Sequence, residues 1–376
     1  MVIELLEAHV KGLPVQLKTV KPERNEHQFE LPKKVGILYS DVQRDYFPTE
    51  SLYITEKDAD QDARLIAKYL ELLGITVLLL PGNAELPARL RKDRPELVIN
   101  LVDSINGDES LASAIPGVLE LLNIPYTGAD ILGLSLDTNK FLVKKILQQN
   151  GVPVPNYQLF NKPGDYLDPA LRFPLISKLN AIHGSVEITK DAVSENEKHL
   201  RRRLRYLIRT YKQPVLVEEF ISGREITAIL LEGKNKKVYL AEKVFAHPGG
   251  KFVYITFEDQ WLSARNAAFH YTKYDDPQLK ETVKKAFDVT KMYDYGKFDV
   301  RLDQSGRYFF IDTNCNPAFG PKELDMALSV ILDIYGITFL EILKRLILNT
   351  LRDAAGKERL SMPAETRGNA AEPTRI

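Results

Sequence analysis

The sequence predicts a chain of mixed α/β and α+β class, with a small parallel α/β domain near the N-terminus and a larger α+β region after it. Three observations predict this. Continuous apolar runs at Lys34–Tyr39, Ile75–Leu80 and Leu97–Leu101 read as strands buried on both faces, as in a parallel sheet. Later, Pro214–Phe245 holds three strand-like runs, and Tyr295–Pro317 reads as an antiparallel hairpin. At 376 residues the chain has room for two or three domains with a sizeable core.

Acidic and basic residues balance at 51 each, which gives no overall field for nucleic acid or an anionic membrane. Cys315 is the single cysteine, so no intramolecular disulfide and no cysteine-based zinc cluster can form. The N-terminal stretch carries Glu4 and Glu7 rather than a signal-peptide pattern, and no apolar run reaches the length of a membrane span. The expectation is a soluble, cytoplasmic protein.

Taken in order, residues 1–32 form an extension with weak strand character at Leu13–Val20. The first strand, Lys34–Tyr39, is followed by a loop to about Lys57. In Ala59–Leu73, Ile66, Tyr69, Leu70 and Leu73 fall at helical spacing, with Gly74 in position to end the helix. Ligands of such domains bind at the carboxyl ends of the strands, so the loop Val102–Glu109 is the first substrate-site candidate. In Asn123–Phe160, Ser135 or Asp137 can cap a helix that Gly151-Val-Pro-Val-Pro ends. Lys140 lies near its start, where the helix dipole does not favour lysine, which suits a bound anion; Lys144 and Lys145 read as solvated. Phe173–Lys190 looks like two strands joined by a Gly184-Ser185 loop, with Lys178 at the end of the first. Gly249-Gly250-Lys251 reads as a hairpin turn, and the basic helix Val193–Tyr211 as a solvated face. Glu218 and Glu219 are adjacent in a strand and must face opposite ways; beside Phe220 and Ile221 they suit an adenine, and Glu225 suits a ribose. Leu279–Met292 and Thr338–Leu351 are amphipathic helices, and the polar tail from about Asp353 is expected to be disordered.

The hairpin carries the chemistry. With Leu302 paired to Arg307, Lys297, Asp299 and Arg301 share one face with Tyr308, Phe310, Asp312 and Asn314, while Phe298, Val300, Leu302, Phe309 and Ile311 form the core face. Two carboxylates and an amide beside a cation suit a hard divalent ion that keeps phosphate oxygens among its ligands; an ordinary hairpin with a polar outer face would present the same residues. The histidines assemble into no metal or nucleophile pattern, and no Walker A, dinucleotide or nucleophile-elbow motif is present.

From about Lys34 to Leu351 the chain resembles ATP-grasp enzymes of the D-alanine–D-alanine ligase type. NIPYTG at 123–128, LDTNK at 136–140, LISKLNAIHGS at 175–185, VLVEEFISGREIT at 215–227, GKFDVRLD and YFFIDTNCNP within 296–317, and GITFLEILKRL at 336–346 occur in the family's order. The resemblance implies a pre-ATP-grasp domain over 33–128, a two-lobed ATP-grasp fold over 129–214 and 215–352, and a tail over 353–376. It implies an ADP-forming carboxylate–amine ligase that makes an amide through an acylphosphate, with ATP and Mg²⁺ or Mn²⁺ as cofactors, small-molecule substrates and a homodimeric state. Residue by residue, it implies that Lys140 and Lys178 contact ATP phosphates beneath Ser185. Glu218, Glu219 and Ile221 border the adenine, and Glu225 takes the ribose. Asp299, Asp312 and Asn314 bind the metal, and Lys297 stabilises the tetrahedral intermediate.

The chain also departs from the family. Tyr39-Ser40-Asp41-Val42-Gln43 replaces a GG-x-S-x-E stretch, and Val102-Asp103 replaces His-Gly. Lys297 stands for arginine, Asp312 for glutamate and Gln260 for a phosphate-contacting lysine, and the loop reads IHGSVE rather than EGSSVG. The expected reading is a ligase for an amino acid or small peptide other than D-alanine. A genuine D-alanine–D-alanine ligase, and an ATP- and Mg²⁺-binding protein with little ligase activity, are the alternatives.

Overall fold

The computed structural model describes residues 30–246, 250–263 and 268–360. The readings of the first 29 residues, of Gly249 in the expected turn and of the tail beyond 360 lie outside the described residues.

The first sheet is built from β1 (Lys34–Ser40), β2 (Thr76–Gly82) and β3 (Leu97–Leu101), parallel and in the order β2-β1-β3. Val35 lies level with Val77 and Leu97, so the apolar runs stack against one another. The segment expected as a loop to Lys57 contains α1 (Glu50–Glu56), started by Thr49, whose hydroxyl accepts the Leu52 N–H at 3.3 Å. Helix α2 (Ala59–Glu71) buries Ala63, Ile66, Ala67 and Leu70 on one face. It ends where Gly74 turns left-handed at φ +77° and the Ile75 N–H reaches back to the Leu70 carbonyl. A further helix, α3 (Leu86–Asp93), joins β2 to β3.

Next come α4 (Ala114–Leu121), α5 (Ile131–Asp137) and α6 (Lys140–Gln149). Neither Ser135 nor Asp137 caps α6, because both belong to α5. Asn139 does so, accepting the Leu142 N–H at 3.1 Å.

The second sheet is antiparallel, in the order β4-β7-β5-β6, from β4 (Tyr157–Phe160), β5 (Leu175–Leu179), β6 (Val193–Ser194) and β7 (Val215–Glu219). The second strand expected within Phe173–Lys190 does not form. Ser185 and Glu187 are left-handed, at φ +57° and +66°, which a strand cannot accommodate. Helix α7 (Glu197–Tyr211) packs Leu200, Leu204 and Leu207 inward. Its basic face is not wholly solvated, since Arg203 is partly buried against Glu187.

The third sheet, β10-β9-β8-β11-β12, contains β8 (Gly223–Leu231), β9 (Lys237–Phe245), β10 (Phe269–Tyr274), β11 (Tyr295–Asp303) and β12 (Tyr308–Asn314). Helices α8 (Phe257–Trp261) and α9 (Pro277–Val289) lie within this stretch, followed by α10 (Ala327–Ile334) and α11 (Phe339–Leu360). Helix α11 continues past Asp353, so the expected tail begins as helix through Leu360. Leu328 and Ile331 of α10 and Leu343 of α11 share one core with Val35 and Ile37 of β1 and Ile229 of β8. That core joins one face of the first sheet to the third. No helix among the described residues is long and apolar enough to cross a membrane.

The hairpin register differs from the expected one. Leu302 pairs with Tyr308 and Val300 with Phe310, but Asp299 pairs with Asp312, so Ile311 is one residue extra. This β-bulge lets Phe310 enter the core while Asp312 turns to the opposite face. Phe310 is fully buried beside Phe298, and Phe309 is only half-buried beneath the Arg307 guanidinium. Strict alternation had reversed Phe309 and Phe310 and set Asp312 opposite Lys297.

Candidate functional site

Every residue expected at the site lines one cavity of about 880 Å³: Lys140, Lys178, Ser185, Glu218, Glu219, Ile221, Glu225, Lys297, Asp299, Asp312 and Asn314. Sheet geometry accounts for much of this convergence. β8 and β11 are neighbours in antiparallel register, with Thr227 beside Asp299 and Glu225 beside Arg301. Lys178 lies on β5 next to β7, which carries Glu218, and Lys140 opens α6.

At one end, Glu218 is 1% exposed between two lysines, with Lys178 Nζ at 3.0 Å and Lys144 Nζ at 3.1 Å. Both lysines also donate to β12, Lys178 to the Ile311 carbonyl at 2.7 Å and Lys144 to the Phe310 carbonyl at 2.7 Å. Burial raises the Glu218 carboxyl, and the two ammonium groups reverse this and hold it below its usual value. Lys144 was read as solvated. It is buried, and burial lowers its ammonium to about 8. Its place one turn after Lys140 was the signal for a shared helix face.

Glu225 also differs from expectation. Its oxygens are already engaged, by Lys243 Nζ at 2.6 Å and Arg301 at 2.7 Å. Arg301 donates in addition to the Ile221 carbonyl at 3.2 Å and lies over the Phe220 ring, 5.0 Å from its centroid. Lys243 was missed, although pairing the β8–β9 hairpin places it directly opposite Glu225. Glu219 borders the cavity, but its carboxylate accepts from Asn156 Nδ2 and the Arg172 N–H, on the side away from Glu218.

The candidate metal face is the bulged hairpin. Asp299 accepts from the Thr227 hydroxyl at 2.8 Å and pairs with Lys297. Burial raises the Asp299 carboxyl, but Lys297 and Lys243 outweigh it and hold the group well below the carboxylate range. Asp312 is lowered in the same way, burial being outweighed by Lys140 and Lys178. The donors are thus two ionised carboxylates facing one another across the bulge, with Asn314 beside them. That set fits Mg²⁺, a hard ion that takes oxygen ligands and leaves positions for phosphate. A bound cation would compete with Lys297 for Asp299.

Above this face, Lys140 Nζ donates to the Ile182 carbonyl at 2.6 Å, and the Ser185 hydroxyl donates to Gln260 Oε1 at 3.1 Å. His183 Nε2 lies 3.0 Å from the Asp137 carbonyl, and burial lowers its imidazole to about 3, so it is neutral. Its backbone N–H meets the Glu109 carboxylate at 3.1 Å, tying this loop to the 102–109 segment.

A further stretch of the cavity wall is acidic. Glu56, Asp58, Asp62, Asp103, Glu109 and Asp137 line it, and sequence reasoning had singled out only the 102–109 loop. Asp103 is open to the cavity yet enclosed by protein; that enclosure, then Glu56, Asp137 and Asp62, raise its carboxyl. Enclosure and the neighbouring Asp58 and Asp60 push Asp62 up to about 6. Ser40, at the end of β1, accepts the Asp103 N–H at 3.0 Å and the Ser104 N–H at 3.2 Å, which holds this wall in place.

Comparison with known proteins bears on these features. Residues 146–348 match the family model for the D-ala D-ala ligase C-terminus. An uncharacterised protein, y4sG, of Sinorhizobium fredii is 28% identical over 66% of this chain and 76% of its own length. The D-alanine–D-alanine ligase of Aquifex aeolicus is 27% identical over 70% of this chain and 86% of its own. In fold, the chain is similar to the crystal structure of Bacillus anthracis D-alanine–D-alanine ligase complexed with ATP. The TM-score is 0.64 at 17% identity, covering 86% of this chain and 99% of that one.

Proposed function

Because the chain belongs to the D-alanine–D-alanine ligase family of ADP-forming ATP-grasp enzymes, we propose that it joins the carboxylate of an amino acid or small peptide to an amine, with a substrate other than D-alanine. The observation that carries this reading is the polarity of the cavity. Lys140, Lys178, Lys297 and the paired Asp299 and Asp312 come together in it, and beside them a run of carboxylates begins at Glu109 and Asp137, both of which interact with Lys140.

In this reading Lys140 and Lys178 hold the nucleotide phosphates, with Ser185 above them, while Ile221 and Phe220 wall the adenine. Glu225 reaches the ribose by giving up one of its two cation partners. Asp299, Asp312 and Asn314 hold Mg²⁺, whose chemistry when bound is to neutralise charge on the transferring phosphoryl group. The γ-phosphoryl passes to the substrate carboxylate as ADP leaves. An amine then attacks the acylphosphate carbonyl, and phosphate is expelled. Lys297 stabilises the oxyanion formed in that attack. The acidic wall receives the substrate's ammonium group, which favours substrates that carry positive charge near the reacting carboxylate. The reaction belongs in the cytoplasm, where ATP is supplied, and its partners are small molecules.

A genuine D-alanine–D-alanine ligase is the second reading, favoured by the names of the similar proteins. ADP release with Mg²⁺ and a panel of D- and L-amino acids, basic ones included, separates the two. The proposal expects turnover with a cationic amino acid or short peptide. D-alanine as the sole competent substrate would establish the second reading. In either case Asp299→Asn should reduce amino-acid-dependent ADP release by at least about 100-fold with an unchanged circular dichroism spectrum. Retained activity in that variant would remove the hairpin from the mechanism.

A further inference from the structure

Glu187 lies two residues beyond Ser185, is 9% exposed and does not line the cavity. We propose that Glu187 is a positioning residue: its carboxylate, gripped by Arg203, Tyr206 and Tyr211, latches the 183–188 loop so that Ser185 is presented to the nucleotide phosphates. The proposal rests on the reading of this cavity as an ATP site.

The loop backbone is left-handed at Gly184, Ser185 and Glu187, with φ of +68°, +57° and +66°. Glycine enters that region freely, but serine and glutamate do so only where their surroundings hold them there. Around Glu187 the surroundings do so. Tyr211 and Tyr206 donate their hydroxyls to Oε1 at 2.7 and 3.0 Å, and Arg203 donates to Oε2 at 2.9 Å. Arg203 donates also to the Glu187 carbonyl, so one guanidinium grips side chain and backbone together. Burial first, and Glu187 second, raise both phenols, which therefore remain donors.

The loop's other side is fastened to α8. Trp261 Nε1 donates to the Gly184 carbonyl at 2.7 Å, Ser185 donates to Gln260, and the Phe257 N–H meets the Ile188 carbonyl at 2.8 Å. Helices α7 and α8 therefore hold the loop from both sides. Leu200, Leu204 and Leu207 of α7 share a core with Val186, and the hydrogen bonds from α7 described for this loop all go to Glu187. A glycine at 187 would satisfy the backbone without help; this chain instead keeps a residue that the backbone disfavours and engages its whole side chain.

Trp261 is the only tryptophan in the sequence, so its emission reports on the loop directly. In the full-length protein without nucleotide, Glu187→Ala, which keeps the backbone cost and removes the carboxylate, should shift Trp261 emission to the red, because the loop leaves the indole. The Kd for Mg·ATP, read by calorimetry, should rise by about tenfold as Ser185 loses its position. Glu187→Gln, which keeps an acceptor for the two hydroxyls, should stay close to the parent in both readings. If Glu187→Ala does not fold, the double variant Tyr206→Phe, Tyr211→Phe keeps the rings, removes two donors and should shift both readings in the same direction. Parental emission together with parental Mg·ATP affinity would overturn the latch, even in a variant with lowered thermal stability. If the parent itself binds no Mg·ATP, the ATP reading fails, and the emission shift alone decides the latch.

Discussion

Asp299 and Asp294, close together in sequence, show how neighbours decide the state of a buried carboxylate. Burial raises both. At Asp299 two lysines reverse the effect, so the group stays ionised and available to a cation. At Asp294 the partners are uncharged: Asn349 Nδ2 at 2.5 Å, the Gly128 N–H at 2.9 Å and the Thr350 hydroxyl at 3.1 Å. Burial there wins and pushes the carboxyl up to about 6. A folded-state value above the unfolded one means that the native protein binds the extra proton. The stabilisation is complete below about pH 4 and is lost as pH rises through about 6. Between those limits the parent should lose up to about 3 kcal/mol that Asp294→Asn does not lose. Urea denaturation of both proteins at pH 4 and pH 7 measures the difference in slope; parallel profiles would show that Asp294 titrates normally. The expected site residues were legible in the sequence because carboxylates, lysines and amides announce their chemistry. Their partners were not, as Lys144 shows by meeting the Phe310 carbonyl 166 residues away.

At the scale of the element, the β11–β12 hairpin was placed correctly and paired wrongly. Alternation assumes a regular ladder, and one extra residue at Ile311 inverts everything on one side of it. The two registers make opposite predictions. In the observed one, Phe310→Ala should destabilise the protein by about 3–5 kcal/mol, since a fully buried aromatic leaves a cavity. Phe309→Ala, at a half-buried position, should cost less than about 1 kcal/mol. Chemical denaturation of the two variants decides between them, and a larger loss from Phe309→Ala would restore the regular ladder. The same limit explains the missing second strand in 173–190, where the left-handed residues Ser185 and Glu187 interrupt what composition alone reads as extended.

For the whole molecule, the cavity exists only because separate segments meet: α1, α2 and the 102–109 loop, α6, the second sheet with its 183–188 loop, and β8 with the bulged hairpin. A ligand bridging these segments stabilises the native state by mass action. Mg·ATP at 100 times its Kd should add about 2.7 kcal/mol to the unfolding free energy. Thermal shift with Mg·ATP, with ATP plus chelator and with Mg²⁺ alone tests this; the full shift should require both components and disappear in Asp299→Asn. An equal shift without metal would separate nucleotide binding from the hairpin carboxylates.

By itself the sequence determined the class of fold, most strands, the longer helices and the set of side chains available for phosphoryl transfer. Periodicity and side-chain chemistry are local properties, written within a few residues of where they act. Only the tertiary structure decided how those groups are used. It showed that Glu225 is already held by Lys243 and Arg301, that Lys144 is buried against Glu218, that a bulge turns Asp312 toward Asp299, and that carboxylates from distant segments form one wall. Each of these is a pairing across sheets or loops, and the energy of such a pairing depends on distance and burial, which no single stretch of chain contains.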